Sequence, residues 1–264
     1  MKKIQLIWTL LAVMAFSGIA VPVVQADDEE ECDFELPFTT EFFQDECKLR
    51  PRGKNDYFLR LKPGCWLLLE GEEEGDDEEL VTLTVLIEVL PGKKVVDGVK
   101  CAIVRETEWE DDELVEISWN YFAICKHCKD VFYFGERVND YEDGEIVGHG
   151  GEWLAGVDGA QAGVIMPGCP LIGSRYYQEV APGIAEDRAE HLDNETTIET
   201  DYGTFENCLY TVETTPLDPE EESFKAYARG VGLILDDVIT LVDYGCGGYD
   251  DDDSSDDDSS DDDD

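Results

Sequence analysis

Basic residues are scarce in this chain: 19 lysines and arginines stand against 64 aspartates and glutamates, a formal net charge of −45. A polyanion of that strength is repelled by phosphate backbones and by anionic membrane surfaces, which excludes nucleic acid as a partner. Cations and basic surfaces are attracted instead, over a reach of about 8 Å at physiological salt. Adaptation to a salty habitat is the plainer explanation of the same charge. Beyond the first two dozen residues the chain also lacks any apolar run long enough to span a bilayer as a helix. Long amphipathic helical periodicity is nearly absent. So is any complete catalytic signature: there is no nucleophile elbow, no EF-hand loop and no second C-x-x-C to make a zinc ribbon.

What is present begins with a tripartite start. Lys2 and Lys3 precede an uncharged, mostly apolar stretch that closes on Val24-Gln25-Ala26, a small-residue exit, and five acids follow at 27–31. This pattern predicts a secretory signal over residues 1–26, cleaved after Ala26. An uncleaved anchor is the alternative, since the apolar stretch is just long enough to cross a membrane. No cysteine directly follows the exit, so a lipid-modified amino terminus is not expected. The expectation is an extracytoplasmic bacterial protein, periplasmic or secreted, with no membrane span after cleavage. Its organisation reads as an acidic segment over 27–54, a β-rich globular domain over 55–247 and an Asp/Ser tail over 248–264. Nine cysteines (positions 32, 47, 65, 101, 125, 128, 169, 208 and 246) predict some disulfides in an oxidising compartment, with one left over and the connectivity open.

Between the acidic ends, strand follows strand. Residues 80–89 are rich in β-branched side chains and precede the turn signal Pro91-Gly92. Residues 99–107, 114–124 and 131–136 repeat the design, crowded with Trp109, Trp119, Tyr121, Phe122, Phe132, Tyr133 and Phe134. Acidic runs at 72–79 and 110–113 read as loop tips. One short helix is expected near 185–191 and another before residue 60. A weak internal echo relates the strand opening at Gly98-Val99-Lys100-Cys101 to that at Gly203-Thr204-Phe205-Glu206. The fold class this implies is mainly β: one large curved antiparallel sheet or half-barrel, built from two meanders joined by a glycine-rich middle, with few short helices.

Here the chain resembles a group of exported, β-rich bacterial proteins of uncharacterised function. The residues that carry the likeness are Gly203-x-Phe205-x-x-Cys208-Leu209, Tyr227-Ala228-x-Gly230-Val231-Gly232-Leu233, Tyr133-Phe134-Gly135-Glu136 and Met166-Pro167-Gly168. More loosely, the meanders are similar to the curved sheets of periplasmic lipoprotein-carrier proteins, which hold apolar cargo on a concave face. That likeness implies a fold and no site.

The candidate chemistry lies in three places. The tail sets Asp250, Asp251, Asp252 and Asp253, then Asp256, Asp257 and Asp258, then Asp261, Asp262, Asp263 and Asp264, each group separated by two serines. Carboxylates are hard oxygen ligands for Ca²⁺, and a flexible array of them predicts loose binding of about millimolar affinity, or adsorption to a mineral or basic surface. A solubilising or spacing tail is the plainer reading. Cys125-Lys126-His127-Cys128 sits between two strands. It permits a structural disulfide, a soft metal such as zinc held by Cys125, Cys128 and His127, or disulfide exchange aided by Lys126, His127 and Lys129. The glycine-rich middle offers His149 with Glu152 and Cys169, and Glu136, Glu152, Glu179 and Asp187 supply carboxylates that paired glycoside chemistry would need. With 64 acids, chance pairs are certain, and His191 beside Glu190 reads as a surface histidine. The function expected is an exported, non-enzymatic binding protein with a ligand-holding β domain and a cation-attracting tail. The competing class is an extracytoplasmic enzyme, a thiol redox protein or a hydrolase.

Overall fold

The computed structural model describes residues 47–75 and 79–247. The signal segment, most of the acidic stretch before residue 47 and the aspartate tail lie outside them. In chain order the strands are β1 (Leu49–Arg50), β2 (Cys65–Glu74), β3 (Leu80–Val89), β4 (Lys94–Val96), β5 (Val99–Glu110) and β6 (Glu113–Cys125). They continue with β7 (Val131–Glu142), β8 (Glu145–Gly148), β9 (Trp153–Leu154), β10 (Gln161–Met166), β11 (Arg175–Tyr177) and β12 (Glu179–Val180). The last five are β13 (Arg188–Glu199), β14 (Thr204–Thr214), β15 (Glu222–Ala228), β16 (Gly232–Asp236) and β17 (Ile239–Cys246).

All of these join one antiparallel sheet, nearly closed into a barrel. The first meander runs β2, β3, β5, β6, β7, and the second β13 to β17. They meet directly where β17 pairs with β2, Leu241 opposite Leu69. On the other side β10 pairs with β7 and with β12, and β11 pairs with β13, so the circuit returns through very short strands. That return needs close backbone approach: a Cβ on Gly163 would stand 2.1 Å from the carbonyl oxygen of Gln178.

The acidic run at 110–113 is a hairpin tip, as its sequence predicts. Asp111 and Asp112 take positive φ of 47° and 68°, a left-handed pair that matches the twist of the flanking strands and that aspartate tolerates. The short helix expected near 185–191 is corrected, and the one expected before residue 60 is absent from 48–60, the earlier positions lying largely outside the described residues. Residues 188–191 open the long strand β13, and residues 48–60 are irregular apart from β1, with a bridge from Gly53 to Leu61. Both segments find their backbone partners in neighbouring chain, which overrides weak local helical preference.

Residues directly opposite on paired strands share a face. Leu69 faces Val85 and Leu241, and Leu209 faces Tyr227; Leu67, Leu69, Leu209, Ile234 and Leu241 are at most 1% exposed and form the apolar floor. Going along the same inner face, the side chains change character, and that change places the site.

Candidate functional site

Register carries acids inward. On β5, Glu106 lies opposite Ile87 on one side and Ser118 on the other, and Glu108 lies opposite Val85 and Glu116. Asn120 of β6 then faces Glu136 of β7. From the second meander, His191, Thr211, Lys225 and Asp236 form one cross-strand row. The two walls feel each other electrostatically: Glu106 is coupled to Lys225 and Asp236, and Glu108 to Asp236. The inner face is therefore apolar in one part and carboxylate-rich in another.

Lys225 organises this basin. Its ammonium is 3.2 Å from Glu213 Oε2 and 3.1 Å from Asp236 Oδ2. Gln178 Nε2 donates to Glu213 Oε1 at 2.6 Å, and Tyr227 Oη donates to the same oxygen at 3.5 Å. Tyr133 donates to Asn120 Oδ1, whose amide donates to Ser118 Oγ at 3.0 Å. Burial works against the Lys225 charge, yet Glu213 and Asp236 prevail and hold its pKa well above the ordinary value. Asp236 itself is pushed up, because burial outweighs the attraction of Lys225.

The surrounding carboxyls are pushed toward neutrality. Burial, then the charge of Glu108, raises Glu106 to about 8. Burial, then Glu108 and Glu136, raises Glu116 to about 7. Glu136 reaches about 7 through burial, and Glu179 reaches about 8 through burial and then Glu136. These side chains are hemmed in by protein but only half-buried by solvent accessibility. Glu106 lines a cleft, and that access to solvent lets a carboxylate survive inside a nearly closed sheet. One cleft of about 220 Å³ has Glu106, Glu108, Glu110 and Asp236 in its wall; another, of about 160 Å³, has Asp187, Glu213, Glu221 and Lys225.

The fate of each site residue read from sequence follows from this geometry. Glu136, Glu152, Glu179 and Asp187 are brought into one electrostatic neighbourhood. His149 is engaged elsewhere, its Nδ1 2.6 Å from Val138 O, while Glu152 pairs with Arg137 at 3.6 Å and Cys169 is an exposed free thiol. His191 is a correction. It is fully buried, with Nδ1 3.2 Å from Thr211 Oγ1 and Nε2 without a partner, and burial lowers its pKa to about 4. It lies on a strand whose alternation turns it inward, not on a surface helix.

Glu106, Glu108, Glu213, Lys225 and Asp236 were not singled out from sequence. The available signal was Glu106-x-Glu108-x-Glu110, acids at every second position of an aromatic strand, which period-two alternation sets on one face. In so acidic a chain that face passes for the solvent side.

Cys125-Lys126-His127-Cys128 forms the turn from β6 to β7, and the third sulfur there is Cys47, not a histidine nitrogen. Cys47 and Cys125 form a disulfide, and Cys128 Sγ lies 4.0 Å from Cys47 Sγ. The three sulfurs lie within 4.8 Å of one another, while His127 is exposed. The nearby lysines do not activate Cys128. Burial, and then its hydrogen bond to Asp130, raise the thiol above its usual value. A second disulfide, Cys65–Cys246, ties β2 to β17. The candidate aspartate ligands, Asp250 to Asp264, lie outside the described residues.

No family model matches the chain, and no curated protein matches it, so the motif-based resemblance is left without a family to join. Among solved structures, the chain is similar to a "putative lipoprotein" from Parabacteroides distasonis, at 12% identity and a TM-score of 0.34. The alignment covers 73% of this chain and 100% of that one. A likeness at that level transfers no site, ligand or activity.

Proposed function

We propose that this is an exported, non-enzymatic binding protein whose β domain takes up a small cation inside the sheet, with the aspartate tail gathering cations nearby. The observation that carries this reading is the carboxylate basin around Lys225, opened by two clefts and set on the inner face of a nearly closed sheet. Hard oxygen ligands in that number suit a divalent ion such as Ca²⁺. The two disulfides support an oxidising, extracytoplasmic address. A soft metal such as zinc at Cys125 and Cys128 remains part of the proposal only for the reduced protein, since Cys125 is tied to Cys47 in the oxidised one.

Equilibrium dialysis of the mature chain against Ca²⁺ tests the reading. Deleting residues 250–264 should remove the weak, numerous sites, and Glu106→Gln with Glu108→Gln should remove a separate interior one. Calcium content unchanged by both variants would sink the proposal. A second reading draws support from Glu136 and Glu179, whose carboxyls are poised near neutrality as a general acid requires. It predicts turnover of a glycoside panel that Glu136→Gln abolishes; the binding reading predicts no turnover.

A further inference from the structure

The turn between β6 and β7 holds more sulfur chemistry than a C-x-x-C pair. Cys125 is buried at the end of β6, and Cys128, three residues on, is exposed and unbonded. Cys47 arrives from far away in sequence, held beside them because β1 pairs with the end of β6, Leu49 opposite Cys125. The free Cys128 sulfur stands 4.0 Å from the disulfide sulfur of Cys47. Its thiol donates to Asp130 Oδ2 at 3.0 Å, and the other oxygen of that carboxylate accepts the Gly168 backbone N–H at 2.7 Å, which fixes the carboxylate in place. On the far side, the Cys128 backbone N–H points at Cys125 Sγ at 3.4 Å, where it favours negative charge on a departing sulfur.

The geometry points to an internal thiol–disulfide exchange site in which Cys47 is shared between Cys125 and Cys128. Cys128 Sγ attacks Cys47 Sγ as its proton passes to Asp130 Oδ2. The Cys47–Cys125 bond breaks, the Cys47–Cys128 bond forms, and the proton returns to Cys125 Sγ. One disulfide and one thiol are present before and after, so no external oxidant or reductant is consumed. What changes is where the thiol sits. With Cys47 bonded to Cys125, the thiol is offered to solvent at position 128, open to mixed-disulfide formation with an external disulfide. With Cys47 bonded to Cys128, it is withdrawn into the core at position 125. Cys47 stays bonded throughout, so β1 remains tethered in either form.

Disulfide mapping of the full-length mature protein, acid-quenched under native conditions, tests this. Trypsin cuts at Lys126, so Cys125 and Cys128 leave on different peptides, and Cys65–Cys246 serves as the constant reference. The expected result is recovery of both Cys47–Cys125 and Cys47–Cys128. Cys125→Ser should give Cys47–Cys128 quantitatively. Asp130→Asn keeps an acceptor for Gly168 but loses the base, and should slow interconversion about 100-fold. Recovery of Cys47–Cys125 alone from the wild-type chain overturns the assignment, whether or not Cys125→Ser folds. So does Cys125–Cys128 with Cys47 free, because the shared sulfur would then be Cys125.

Discussion

Lys225 shows how much one side chain can hold in place. It is about one quarter exposed and bridges Glu213 and Asp236, while Glu106 repels Asp236 from the opposite wall. Removing a partner from such a group leaves charge buried and uncompensated, which costs more than the pair contributes net. Lys225→Met should therefore destabilise the fold by about 3 kcal/mol, read as a lower urea midpoint with unchanged slope. Adding Glu213→Gln and Asp236→Asn to that variant should recover most of the loss. If the single substitution is silent, Lys225 is not the organiser of the basin. His191 makes the complementary point: its neutral ring is packed against Tyr176 and bonded to Thr211, a structural role that its position beside Glu190 in sequence conceals.

At the scale of elements, closure rests on the weakest strands. β11 and β12 are only three and two residues long, yet they link the meanders through β10 and β13. Gly163→Ala drives a methyl group into the Gln178 carbonyl and should cost about 2 kcal/mol, with faster amide exchange at 161–162 and 179–180 while β2 and β3 stay protected. The opposite seam is covalent: Cys65–Cys246 closes a loop with a sequence separation of 181. Replacing both cysteines by serine should lower stability by about 4 kcal/mol, measured by guanidinium unfolding under non-reducing conditions. The major strands were legible in sequence. Residues 80–89, rich in β-branched side chains before Pro91-Gly92, form β3 with those bounds, and the aromatic runs form β5, β6 and β7. The return through β11 and β12 was not, because two- and three-residue strands carry no periodicity to read. The helix expected near 185–191 failed for a related reason: over so few residues, partners elsewhere decide the backbone.

Across the whole molecule, pH is the lever. Burial pushes the carboxyls of Glu106, Glu116, Glu136 and Glu179 up to about 8, 7, 7 and 8, above the ordinary carboxylate value of 4.5. The folded state then binds more protons than the unfolded one between those limits. Their contribution is fully present below about pH 4.5 and is lost as pH rises toward 8. His191 acts in the reverse sense, since its pKa falls from 6.5 to about 4 and its contribution is lost as pH falls through that window. Four carboxyls outweigh one imidazole, so the melting temperature should be higher at pH 5 than at pH 8. Ca²⁺ should restore the difference at pH 8, where the basin is ionised, and have little effect at pH 5. A melting temperature that rises from pH 5 to pH 8 would show that the acids are not confined as described. Deleting the aspartate tail, which lies outside the sheet domain, should leave that profile unchanged.

By itself the sequence determined the β class, the positions of β3, β5, β6 and β7 and the strongly negative charge, because composition and period-two alternation are local properties of the chain. Only the tertiary structure decided which of the 64 acids turn inward, that His191 is buried and that Cys47 reaches Cys125 and Cys128. The bulges between Glu108 and Trp109 and between Asn120 and Phe122 reset which residues share the inner face. A one-residue shift reverses every side chain after it, and pairing across long stretches of chain sets that register.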